Sequence, residues 1–312
     1  MTALAIHPGA LGDVLLAVPA LRALRTRTGT SLVLAAQLRI GRLLATLGEV
    51  DTARDFDGLG LDALFTRDAS GDGVLAIVRE AEAVVCWFGA RDPEFTRRLR
   101  ALAPAAIVAP PAVPGVPTWR HLLATVGAAD PSCGVDGWRA RVSVPAAVAA
   151  EGRRLLTAAG WDGERGVVVI HAGAGSVKKR WPAPGFAAVA RALAETRMFV
   201  VLHEGPADPA AVADVGAALG AGFPVVREPP LPALAGALHA ARAYVGNDSG
   251  VSHLAATVGT PSLVLFDPAL LAWAPWADAA CTMPVNMAEL SPRDVETVTA
   301  AALALGRGER PA

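Results

Sequence analysis

Apolar residues along this chain fall into short continuous runs, separated by longer stretches in which they recur at helical spacing. LAIH (4–7), SLVLAA (31–36), AVVCWF (83–88) and AAIVAP (105–110) predict strands in the first half. GVVVIHA (166–172), MFVVLHE (198–204), ARAYVG (241–246) and PSLVLF (261–266) predict strands in the second. None of these runs alternates with polar residues, as expected of parallel strands covered on both faces. Between them lie amphipathic stretches such as VLLAVPALRALR (14–25), GFAAVARALAE (185–195) and LPALAGALHAA (231–241). A repeating strand–helix order of this kind argues for an α/β protein with doubly wound parallel sheets.

The stretch Asp130–Pro145 breaks that rhythm and reads as a linker, leaving enough strands on each side for one Rossmann-like sheet. An internal echo supports the division. His7-Pro8-Gly9-Ala10-Leu11-Gly12 follows the first strand, and His171-Ala172-Gly173-Ala174-Gly175-Ser176 follows the first strand after the linker. Both are strand-to-helix loops at a carboxyl edge, where open α/β sheets bind ligands. The expected architecture is two Rossmann-like sheets facing across a central cleft. Its parts are an N-terminal domain (1–145), a second domain (146–290), and a C-terminal helix and tail (291–312) able to pack back on the first. Ser291-Pro292 starts that last helix, with serine as cap and proline at the first helical position.

Length and composition agree with two cores: 312 residues, 53% hydrophobic and only 18% charged, which excludes disorder. A net charge of -1 gives no basic field that would point to nucleic acid. Cys86, Cys133 and Cys281 lie far apart without a CxxC pair, so a disulfide scaffold is not expected and a reducing compartment fits. The apolar start lacks a basic leader and contains Asp13, so it does not read as a signal peptide, and the long uncharged stretches 101–119 and 249–266 carry too many prolines or polar residues for a membrane span. The expected location is cytoplasmic. No HExxH-like spacing or Asp-x-Asp at a strand end suggests a metal.

Three segments carry candidate chemistry. In GALGDVLL (9–16), Asp13 stands near a helix start, either capping that helix or offering a carboxylate base at the sheet edge. Pro19 should kink the helix or limit its first turns. In HAGAGSVKKRWP (171–182), small residues let the backbone approach an anion, and Lys178 or Lys179 adds full charge. These are the only two lysines among 28 basic residues, so at least one is expected to do something arginine cannot. The loop matches neither GxxxxGK[ST] nor GxGxxG, which argues against an ATPase and an ordinary dinucleotide enzyme. In YVGNDSGVSHLAATVGTP (244–261), the Ser249 and Gly250 amides open a helix suited to a diphosphate, with Asp248 and His253 beside it. Asp248 reads as a cap for that helix or a holder of sugar hydroxyls. Asn247 shares the loop and is one of two asparagines in the chain.

Taken in order, G-x-x-G-D-V-L, H-x-G-A-G-S…K-R-W-P and G-N-D-S-G-x-x-H-L-A-A…G-T-P resemble the family-9 glycosyltransferases, the ADP-heptose:lipopolysaccharide heptosyltransferases. The resemblance spans most of the chain. It implies the GT-B fold and an inverting, metal-independent transferase that needs no cofactor, the nucleotide sugar being a substrate. The implied donor is ADP-heptose, and the implied acceptor is a hydroxyl of a bacterial glycolipid or lipopolysaccharide-core oligosaccharide. Asp13 would be the general base and Lys179 the lysine that binds the donor diphosphate. Gly173, Ala174, Gly175, Ser176 and Lys178 would form the phosphate-side loop, and Asp248, Ser249, Gly250 and His253 the donor-binding helix start. Asp208 or Glu204 would meet the ribose hydroxyls.

Most arginines of the first domain read as solvated surface, a few of them suited to an anionic glycolipid. The Pro-rich segment 103–117 and the first helix are candidates for peripheral contact with the inner membrane, although a core role suits the helix better. Two alternatives stay open at this point. A nucleotide-sugar epimerase on the same fold should show extra cleft carboxylates and histidines that are not evident here. A degenerate, non-catalytic nucleotide-sugar binder sits poorly with an Asp13 and a Lys179 that are both present.

Overall fold

A computed structural model describes residues 2–66, 75–128, 135–220 and 222–310. The chain divides into two compact units, Met1–Ala140 and Arg141–Ala312. Cys133 and residues 130–134 of the expected linker lie outside the described residues.

Among its described residues the first unit holds five strands: β1 (Thr2–Ile6), β2 (Ser31–Ala36), β3 (Thr52–Asp55), β4 (Ala83–Cys86) and β5 (Ile107–Val108). They pair in parallel in the order β3-β2-β1-β4-β5. Its helices are α1 (Leu11–Leu16), α2 (Val18–Thr28), α3 (Leu38–Thr46), α4 (Ala76–Glu80), α5 (Pro93–Leu102) and α6 (Thr118–Thr125). One core joins Leu4 and Ile6 of β1 to Val33 of β2, Val84 of β4, and Phe95 and Leu99 of α5. Pro19 acts as expected. It lacks the N–H that would continue α1, so the helix stops at Leu16 and α2 restarts with proline in its first turn. The apolar residues of this pair (Val14, Leu15, Leu16, Val18, Leu21 and Leu24) are fully buried, so the helix serves the core.

Among its described residues the second unit has six strands: β6 (Val167–His171), β7 (Phe199–Glu204), β8 (Val225–Arg227), β9 (Ala243–Asn247), β10 (Ser262–Phe266) and β11 (Ala280–Pro284). All are parallel, in the order β11-β10-β9-β6-β7-β8. The helices are α7 (Ala146–Ala158), α8 (Ala183–Glu195), α9 (Pro209–Leu219), α10 (Leu231–Ala240), α11 (Gly250–Thr257) and α12 (Pro292–Arg307). Val168, Val200, Val245 and Leu263 present one sheet face to α8, α9 and α12. Helix α7 packs on α10.

The C-terminal helix is not a separate segment. Ser291 caps it, its Oγ accepting the Asp294 N–H at 3.2 Å. Its apolar stripe (Val298, Ala301, Ala302 and Leu305) completes the core of the second unit against α8.

In each unit the strand order reverses at one point, beside β1 in the first and between β6 and β9 in the second. Loops leaving strands on either side of such a point open a crevice at the carboxyl edge. In the second unit these loops are Ala172–Trp181 and Asp248–Gly250, two of the segments singled out from sequence.

Candidate functional site

In the second unit, β6 delivers the loop beginning at Ala172 and its neighbour β9 delivers Asn247 and Asp248. Lys179 Nζ donates to Asp248 Oδ2 at 2.7 Å and so bridges the two loops. The other Asp248 oxygen lies 3.8 Å from His253 Nε2 on the first turn of α11. Burial opposes ionisation of Asp248, but the His253 imidazole and the Lys179 ammonium outweigh it. They hold its carboxyl below the usual carboxylate range.

Asp248 does not cap α11. Ser249 does, its Oγ accepting the Ser252 N–H at 3.3 Å. Ser252 Oγ in turn donates to the Asn247 carbonyl at 2.5 Å and meets the Tyr244 hydroxyl at 2.9 Å. The start of α11 is thus tied to the end of β9, and Gly250 opens the helix with its amide free of side-chain capping. An ammonium and a helix N-terminus on one crevice suit the two ends of a diphosphate.

Asn247 fixes the opposite wall. Fully buried, it donates through Nδ2 to the Ala172 carbonyl at 2.8 Å and accepts the Trp181 N–H at 3.0 Å. One side chain therefore pins both ends of the loop that carries Lys179. Among the loop's small residues, Gly173 and Ala174 are buried whereas Gly175 and Ser176 are exposed. A Cβ on Gly173 would come within 2.2 Å of the Asp208 carboxyl carbon, so any larger residue must displace that carboxylate or the loop. Nothing lies within 4 Å of the same position on Gly175.

Beneath this loop sits a polar cluster that sequence reasoning did not assemble. His171 and His203 place their Nδ1 atoms 3.0 Å apart. Asp208 lies 3.8 Å from both His171 Nε2 and an Arg180 guanidinium nitrogen. Burial keeps both imidazoles neutral, pulling His171 below its ordinary value and His203 down to about 3. Asp208 is thus packed under the phosphate-side loop, while Glu204 faces Arg227 at 3.3 Å. The lysine pair also divides. Lys178 lines a cavity of about 650 Å³ together with Val177, Arg180, Trp181, Asp267 and Asn286, and Lys179 is not among its walls.

In the first unit, Asp13 sits in the first turn of α1 and accepts the Ala10 N–H through Oδ2 at 2.9 Å. Asp13 therefore takes a capping role from the third position of α1, at the carboxyl edge of the sheet. Cys86 is buried, which pushes its thiol up to about 12 and leaves it inert at neutral pH. Among the described residues, no group of three or more His, Cys, Asp or Glu is arranged to hold a metal ion.

Two doubly wound parallel units, one bearing at its switch point a crevice suited to a phosphate group, define the protein as α/β. The chain belongs to glycosyltransferase family 9 (heptosyltransferase), whose profile matches residues 98–298, and it is a glycosyltransferase of GT-B fold. It is similar to a family 9 glycosyl transferase from Veillonella parvula, with a TM-score of 0.76 and 17% identity over 99% of this chain and 97% of that one. It is also similar to ADP-heptose lps heptosyltransferase II of E. coli (TM-score 0.71, 18% identity, 98% and 100% covered). A third is E. coli heptosyltransferase WaaC solved with ADP (TM-score 0.65, 15% identity, 97% and 100% covered). At such identities the likeness to these structures is one of fold. No curated protein matches in sequence.

Proposed function

We propose that this glycosyltransferase moves a heptose from ADP-heptose to a hydroxyl of a glycolipid or lipopolysaccharide-core acceptor, with inversion and without a metal. Asp13 takes the proton of the acceptor hydroxyl as the oxygen attacks the anomeric carbon. The bond from that carbon to the diphosphate oxygen breaks, and ADP leaves with the bonding electrons. Lys179 and the amides at the start of α11 meet the charge that develops on the departing diphosphate. Pre-aimed groups of this kind are commonly worth ~10²–10³ in rate each. His253 and Asp248 hold the lysine side of the crevice, and Gly173 to Ser176 give the phosphates a wall without bulk. We infer that the enzyme works on the cytoplasmic side of a bacterial inner membrane, in peripheral contact with it. No helix among the described residues is long and apolar enough to cross a membrane.

One observation carries this reading most directly: Lys179, one of only two lysines, lies hydrogen-bonded across the switch-point crevice beside a serine-capped helix start. Family membership supplies the reaction class. The test is release of ADP from ADP-heptose with a truncated lipopolysaccharide core, comparing wild type with Asp13→Asn. Acceptor-dependent release that disappears in Asp13→Asn, with nucleotide binding retained, is expected. Near-normal turnover by Asp13→Asn removes Asp13 as the base. Turnover with other nucleotide sugars but not ADP-heptose removes the donor assignment.

A further inference from the structure

We propose that His7 is the positioning residue of Asp13: its Nδ1 closes the turn that aims the carboxylate. The proposal rests on the reading of Asp13 as the base. His7 is the first residue beyond β1, and its N–H extends the ladder to the Ala35 carbonyl at 2.9 Å. The residue is 1% exposed and its ring lies 5.7 Å from the ring of Trp87. Trp87 is itself held, its Nε1–H donating to Thr125 Oγ1 at 3.0 Å. The imidazole is therefore fixed from behind.

In front of it, the turn uses its donors in order. Pro8 has no N–H. The Gly9 N–H donates to His7 Nδ1 at 3.2 Å, and the Ala10 N–H donates to Asp13 Oδ2 at 2.9 Å. A Cβ on Gly9 would lie 2.7 Å from both His7 Cε1 and Asp13 Cβ, so ring and carboxylate side chain close on the same α-carbon. The direction of the Ala10 amide sets the orientation of the carboxylate. The Gly9 bond to His7 sets the turn from which that amide projects.

Accepting at Nδ1 requires that atom to be unprotonated, which places the neutral ring's proton on Nε2. That nitrogen is buried without a hydrogen-bond partner. Burial outweighs the pull of the nearby Asp13 charge and lowers His7 to about 4, so no cation forms beside Asp13 at neutral pH. A histidinium here would lose the Gly9 bond and draw the carboxylate away from its role as a base.

Three substitutions separate positioning from filling. In His7→Asn the amide oxygen falls near the Nδ1 position, in His7→Gln the amide falls near Nε2, and His7→Phe has neither. His7→Phe is expected to lower kcat by ~10- to ~100-fold with KM for the donor unchanged, the scale of a small misplacement of a reacting group. His7→Asn is expected to recover most of that loss and His7→Gln little. Introducing His7→Phe into Asp13→Asn should cost almost nothing further, since the two act as one unit. A folded His7→Phe with kcat within twofold of wild type overturns the proposal, as does rescue by Gln instead of Asn.

A measurement independent of turnover keeps this apart from the functional reading. Long-range ¹⁵N–¹H NMR of wild type at pH 7 should show His7 protonated on Nε2 and bare on Nδ1. The opposite tautomer ends the proposal even if the protein is an active transferase. The expected tautomer in a protein without transferase activity leaves His7 holding the turn and removes the role given to Asp13.

Discussion

Lys179 and Asp248, 69 positions apart, share a 2.7 Å hydrogen bond that joins the loop after β6 to the loop after β9. The Asp248 side chain is 6% exposed and that of Lys179 33%, so the carboxylate is the buried partner and water still reaches the ammonium. A diphosphate entering the crevice would share Lys179 with Asp248 rather than find a free cation. The lysine's compact, flexible head suits that shared duty better than a planar fork does.

Replacing Lys179 with Met should therefore act on stability and rate together. Asp248 is left buried with only His253 beside it, a loss of about 1–3 kcal/mol, the solvent at Lys179 keeping it from the larger values of fully buried pairs. The Asp248 carboxyl is held low in the folded state, so its stabilising effect is complete above about pH 4, the ordinary carboxylate value. It disappears as pH falls through the lower folded value. Melts of wild type, Lys179→Met and Asp248→Asn across pH 3–7 check this, the differences converging at the acid end. Transfer by Lys179→Met should drop by ~10²–10³-fold.

Asn247 offers a sharper structural test because each of its amide atoms is used. Asn247→Ala strands the Trp181 N–H and the Ala172 carbonyl in a buried setting, at about 1–3 kcal/mol for each group left unpaired. Asn247→Asp is expected to be no better, since it sets a carboxylate oxygen against the Ala172 carbonyl. Both variants should melt several degrees below wild type and bind ADP more weakly. A melting point within a degree of wild type in either would show that the loop ends are held by other contacts.

Two glycines of one loop should respond in opposite ways. Gly173→Ala drives a methyl into the Asp208 carboxylate and must displace either that group or the loop. Gly175→Ala adds its methyl to open space. The first should lose stability and nucleotide affinity, as read by thermal shift with and without ADP. The second should stay within about 0.5 kcal/mol of wild type. Equal behaviour of the two would contradict the placement of Asp208 under the loop.

Eight strands were legible as apolar runs, seven of them interior strands buried on both faces and the eighth, β5, a partly buried edge strand. The three that were not, β3, β8 and β11, all lie at sheet edges, where TARD, VVR and ACTMP need no continuous apolar run. Local spacing made the Ser291 cap and the restart at Pro19 legible in the fold, and in the site the helix opening at Ser249. It was illegible where function depends on which loops meet. Asp208 and His203 sit far in sequence from Gly173 and His171, and only the pairing of β6 with β7 brings them together. The rarity of asparagine hinted at Asn247 but said nothing about what it holds. Local spacing alone did not separate Lys178 from Lys179, although the family resemblance pointed to Lys179; the loop's path puts Lys179 against Asp248 and Lys178 in a separate cavity.

Three buried histidines give the fold an acid limit that can be measured. His7 is lowered to about 4, His203 to about 3, and His171 below its ordinary value, with burial the dominant cause in each. The unfolded chain binds protons at these rings near pH 6.5, while the folded chain declines them until lower pH, about 4 for His7 and about 3 for His203. Stability therefore falls as pH drops from about 6.5 toward 4, by up to about 1.4 kcal/mol per pH unit for each ring. His7→Asn removes one such ring without removing the acceptor for the Gly9 N–H. Its stability should decline less steeply than that of wild type between pH 6 and 4 in urea titrations. Parallel slopes for the two proteins would mean that His7 takes up its proton in the folded state as readily as in the unfolded chain.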